Sequence, residues 1–86
     1  EFTITSAYPN PFNSMMSVGF SLSEAAQVQL NVYDLNGRHV SQLASGHHQA
    51  GIHTAVFDGS NLASGVYMIR YEAAGHVSRL KIALVK

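Results

Sequence analysis

An antiparallel β-sandwich of about seven strands is the fold class that this sequence predicts. Three observations carry the prediction. Runs of alternating apolar and polar residues recur along the chain, as in Met16-Ser17-Val18-Gly19-Phe20-Ser21-Leu22. Turn signals separate the runs about every 8–12 residues, and no stretch holds a helical period. The alternation gives each strand one apolar and one polar face, the pattern of antiparallel sheets solvated on their outer sides.

The elements follow in chain order. Phe2 and Ile4 alternate with Thr3 and Thr5, which suits a brief edge strand. Glu1-Phe2 is also what a common restriction site encodes in frame, so residues 1–7 read as a linker remnant or a cloning-derived start, and the domain proper as 8–86. Pro9 and Pro11 then fix φ and remove two donors, predicting a rigid polyproline-like corner with Tyr8 and Phe12 plugging the end of a core. Met16, Val18, Phe20 and Leu22 face inward on the next strand, and Val28, Leu30 and Val32 on the one after. Gly19, inside a strand, marks a bulge or a close approach. Asp34-Leu35-Asn36-Gly37 is a hairpin turn, because Asn and Gly tolerate positive φ. Arg38–Leu43 returns from it, Ala44–Gly51 reads as a loop, and Ile52–Asp58 forms a fifth strand before Gly59. Two β-prone runs across Ala73-Ala74-Gly75-His76 make a last hairpin, whose second strand is expected to reach Lys86.

Composition excludes several function classes. Lys+Arg and Asp+Glu stand at 5 each, so the basic excess of a nucleic-acid binder is missing. Charged residues make up 12% and hydrophobic ones 47%, which argues for a folded body rather than disorder. No apolar run is long enough for a membrane-spanning helix. Cysteine is absent, which removes disulfides and thiolate metal sites.

Chemistry-bearing constellations are thin. His47, His48 and His53 lie near one another in sequence, but neighbours point apart in an extended chain, so these histidines and His39 and His76 read as solvated loop residues. No Gly-x-Ser-x-Gly elbow is present. Asp34 and Asp58 each precede a Gly-containing loop and read as acceptors of turn N–H groups. Asp34-x-Asn36-Gly37 lacks the spacing and terminal Glu of a calcium loop. Tyr67 and Tyr71 share a strand face, which favours core packing over a sugar platform. No catalytic residue, metal or other cofactor is expected. On the last strand Leu80, Ile82 and Leu84 face one way, and Arg79, Lys81, Ala83 and Val85 the other.

Five motifs in register resemble the type A C-terminal sorting domain of the type IX secretion system. They are Tyr8-Pro9-Asn10-Pro11-Phe12-Asn13, Tyr33-Asp34-Leu35-Asn36-Gly37-Arg38, Asp58-Gly59, Leu62-Ala63-Ser64-Gly65-Val66-Tyr67 and the Lys81–Lys86 ending. The pattern is also close to an immunoglobulin-like domain of flagellar-hook capping proteins. Ser14-Met15-Met16 and Phe57 depart from it, where relatives often carry Pro with Thr residues and a Trp.

The resemblance implies an immunoglobulin-like sandwich and a non-enzymatic export signal at the end of a large secreted protein, often a hydrolase of Bacteroidetes-like bacteria. Its implied partners are an outer-membrane translocon and a sortase-like peptidase that removes the domain and attaches the cargo at the cell surface. Gly65, Tyr67, Lys81 and Lys86 are the expected recognition elements; Pro9, Asn10 and Pro11 position the first full strand, and Asp34, Gly37, Asp58 and Gly59 belong to structural turns. The rival readings are an immunoglobulin-like spacer of a multidomain extracellular enzyme and, behind it, a carbohydrate-binding module.

Overall fold

A computed structural model describes residues Glu1–Lys86. Seven strands and no helix make up the chain: β1 (Thr3–Tyr8), β2 (Met15–Leu22), β3 (Ala26–Tyr33), β4 (His39–His48), β5 (Gly51–Asp58), β6 (Gly65–Ala73) and β7 (His76–Leu84). They form two antiparallel sheets, ordered β1-β2-β5 and β4-β3-β6-β7. The fold is the expected antiparallel β-sandwich. Its shortest extent, 16 Å, is that of two packed sheets with nothing between them but side chains.

Period-2 patterning decides which residues meet between the sheets. Met16, Val18, Phe20 and Leu22 from β2 face Val28, Leu30 and Val32 from β3, Tyr67, Ile69 and Tyr71 from β6, and Ile82 and Leu84 from β7. All are buried. Two buried phenols find carbonyl acceptors: Tyr71 donates to Ser21 O (2.9 Å) and Tyr67 to Ala63 O (2.7 Å). That satisfies their polar ends while the rings fill the core.

Irregular positions have local causes. Gly19 pairs with Ser6 across a bulge at Thr5, and a Cβ there would sit 2.7 Å from both Ser6 Oγ and Thr5 Oγ1. The close approach expected at this glycine is therefore present. In β4, Val40 and Leu43 lie an odd number of residues apart, so a regular strand would turn one of them to solvent. Two bulges, at Val40 and Leu43, correct the parity, and both side chains pack against the core.

Four sequence expectations need correction. The loop expected from Ala44 to Gly51 is mostly strand: β4 runs to His48, because β3 begins at Ala26 and continues the ladder to Ala26↔His48. Backbone pairing at an outer strand does not require apolar side chains, so a polar Ser-Gly-His-His stretch can extend it. Consequently none of the histidines lies in a loop: His39, His47 and His48 are on β4, His53 on β5, and His76 opens β7. Tyr8 does not plug the core; it is 75% exposed, and Phe12 alone is buried. The Tyr8–Pro9 and Asn10–Pro11 peptide bonds are cis, in place of the polyproline-like run the prolines suggest. The last strand stops at Leu84 rather than Lys86.

Candidate functional site

β7 is the outer strand of the four-stranded sheet, so one of its edges has no strand partner along most of its length. The Pro-Asn-Pro corner closes the C-terminal half of that edge. Asn10 uses both ends of its amide: Nδ2 donates to Lys81 O (3.3 Å), and Oδ1 accepts from Ala83 N–H (3.1 Å). Phe12 N–H donates to Ala83 O (2.9 Å), and Val85 N–H donates to Phe12 O (2.8 Å). Phe12 and Leu84 thereby form a short parallel bridge. The Phe12 ring is buried against Phe57, with ring centroids 5.5 Å apart. Gly59 leaves room for this plug, since a Cβ there would lie 3.1 Å from Phe12 Cε2 and 3.2 Å from Leu84 Cδ2.

The chain beyond β7 is held as well. Lys86 N–H donates to Ser64 Oγ (3.1 Å), and Lys86 Nζ donates to Ser60 O (2.6 Å). Asp58 lies below its ordinary carboxylate range, because Ser60 N–H and the Ser60 hydroxyl donate to it and the Lys86 charge is near. The terminal segment is thus fixed on two sides, by the corner and by the loop between β5 and β6.

Sequence expectations map onto this site unevenly. Lys81 is exposed on the outer face of β7, opposite Met68. The Lys86 amine is tied to the Ser60 carbonyl. Gly65 opens β6 opposite Leu84, with open space where a Cβ would be. Tyr67 is 8% exposed, and its ring belongs to the core. Pro9 and Pro11 flank the bridging Asn10, which contacts β7 directly. Asp34 and Gly37 lie away from β7's terminal segment, at the β3–β4 turn. There Asp34 Oδ1 accepts from Arg38 N–H (3.0 Å) and Asn36 N–H (2.9 Å), and Gly37 has φ of 82°. The Arg38 backbone bond foremost, with the Asn36 bond and the Arg38 guanidinium 3.1 Å away, holds the Asp34 carboxyl below its ordinary value. The turn roles read for Asp34 and Asp58 are the roles they have.

Two features of the site escape a reading by motif. Arg70 and Arg79 pair directly across β6 and β7, and Lys81 follows Arg79 on the same outer face. Like charges opposite one another cost stability, and Arg70 relieves part of that cost through Glu72 at 3.2 Å. The only signal in the sequence was the alternation of Arg79 with Lys81. Ser60 and Ser64, which anchor Lys86, gave none, because their partner lies more than twenty residues away.

No group of three or more His, Asp or Glu side chains converges. His48 and His53 contact each other edge to face at 5.1 Å and both border Phe20, with one nitrogen of each ring engaging a nearby carbonyl, His48 Nδ1 that of Gly46 and His53 Nε2 that of Gln49. The four tyrosines share no exposed face, since Tyr67 and Tyr71 are buried.

Residues 6–85 match the family described as the secretion system C-terminal sorting domain. No curated protein and no solved structure matches the chain. The match spans both the Pro-Asn-Pro corner and the basic strand it clamps, and the chain belongs to that family, the C-terminal sorting domains of the type IX secretion system.

Proposed function

We propose that this domain is a non-catalytic address carried by a large secreted protein, and that the type IX machinery reads it at β7. The observation that supports this most is the clamp. Asn10, Phe12, Ser60 and Ser64 hold the terminal segment in one conformation while Lys81 projects to solvent. A strand fixed in advance is recognised without the entropy cost of ordering it. On this reading Lys81 and Lys86 are contacted by the machinery, and Gly65 and Tyr67 build the ledge that carries them. An outer-membrane translocon receives the cargo, and a sortase-like peptidase then removes the domain and attaches the cargo at the surface. The cut falls before Tyr8, on the upstream side of β1, since that strand is itself paired in the sheet.

The test is export of a full-length cargo protein carrying Lys81→Gln and Lys86→Gln. Thermal melting of the isolated variant domain controls for folding. A folded variant whose cargo stays in the periplasm supports the address reading. Normal export of that variant removes the lysines from it. Normal export after deletion of the whole domain leaves the spacer reading in its place.

A further inference from the structure

Four strands lie at sheet edges: β1 and β5 in one sheet, β4 and β7 in the other. An edge is a row of unpaired N–H and C=O groups, and one left straight, uncharged and uncovered is a template for another strand. Three of the four are protected. β1 carries the Thr5 bulge, and its Ile4 N–H donates to Ser78 Oγ (3.4 Å). β4 carries two bulges. β7 is capped by Asn10 and Phe12 and displays Arg79 and Lys81.

β5 has none of these devices. Its eight residues pair with β2 without a register shift. It holds no Pro, Lys or Arg, and its one charge, Asp58, is at the end. No side-chain or turn hydrogen bond reaches the backbone of Ile52–Phe57. Ile52 is 75% exposed and Val56 57%, with exposed Thr54 between them.

We propose that the β5 edge is a self-association surface whose occupant is β5 of a second copy, antiparallel about Thr54. The strand's own sequence argues for this partner. With Thr54 opposite Thr54 of the copy, Ile52 falls opposite Val56 on the solvent face, and His53 opposite Ala55 on the inner face. β-Branched pairs and Thr–Thr pairs are favourable cross-strand neighbours. Asp58 falls opposite Ala50, so no like charges oppose. The formal net charge is zero, so two copies meet without long-range repulsion. Pairing joins two three-stranded sheets into one of six strands. It uses the side of the sandwich away from β7, so it is independent of how the sorting signal is read.

Sedimentation of the 86-residue chain from micromolar to millimolar concentration tests the proposal. A concentration-dependent monomer–dimer equilibrium is expected. Thr54→Lys places two ammonium groups face to face at the two-fold axis and should weaken dimerisation about tenfold or more. Thr54→Glu should do the same, and an equimolar mixture of the two variants should dimerise again. Thr54 is exposed, so melting temperatures close to the parent's confirm that the variants fold. In the unmodified chain, β5 amides directed away from β2 should gain hydrogen-exchange protection as concentration rises. A chain that stays monomeric at millimolar concentration overturns the proposal. So does a Thr54→Lys variant that dimerises like the parent, a mixture that stays monomeric, or protection gained at β7 instead of β5.

Discussion

At the residue scale, Gly59 shows how one missing Cβ organises the site. Its backbone N–H donates to Ser14 O (2.7 Å), and the space above it is taken by Phe12 and Leu84. Gly59→Ala forces the buried Phe12 ring or Leu84 to move and should cost about 1–3 kcal/mol, the usual range for overpacking. Gly37 is a contrast: its φ of 82° demands glycine, but nothing lies within 4 Å of its would-be Cβ. Gly37→Ala is therefore a backbone effect alone, expected at about 1 kcal/mol. Urea unfolding measures both costs, and chemical shifts separate them by location. Only the Gly59 change should disturb the chemical shifts of Phe12 and Leu84. Both glycines were legible from sequence as turn residues, but the crowding at Gly59 was not, because its neighbours come from opposite ends of the chain.

At the element scale, β7 is a strand whose edge is made safe by a loop. The hairpin it forms with β6 was legible because both strands alternate and Ala74-Gly75 takes the positive φ values of a tight turn, 50° and 80°. β2, β3 and β5 were legible for the same reason. β4 was half hidden, since its bulges break the alternation on which the reading depends. The clamp was invisible: Asn10 and Ala83 are 73 residues apart, and no local pattern announces a bond of that span. Asn10→Ala removes two bonds to β7 and should cost about 1–2 kcal/mol, at the net value of ordinary exposed or half-exposed hydrogen bonds. The loss should be local. Hydrogen exchange should quicken at the Ala83 and Val85 amides while Ile69 and Tyr71 in β6 stay protected. Uniform loss of protection across both strands would mean that Asn10 supports the whole sandwich rather than the terminal segment.

At the scale of the molecule, the fold keeps its carboxylates and basic side chains out of the core, buries two phenols, and confines its stability to a pH window set by few groups. Asp34 and Asp58 both have folded pKa values below the ordinary 3.8. For a depressed carboxyl the folded state binds fewer protons than the unfolded one. Its stabilisation is therefore present above 3.8 and is lost as pH falls through the lower folded value. Tyr71 works at the other limit. Burial raises its phenol above 10.0, so the folded state keeps a proton the unfolded state releases, and stability declines as pH rises past that value. Melting temperature should accordingly be flat with respect to these three groups between the two limits. Asp58 is exposed and Asp34 half-buried at the surface, so each contribution is small. Asp34→Asn with Asp58→Asn isolates the charge, since the amide keeps an acceptor oxygen for the turn N–H groups. The double variant should melt below the parent at neutral pH, and the gap should close as pH falls well below 3.8. A gap that persists in acid would place the loss in turn geometry instead of carboxylate charge.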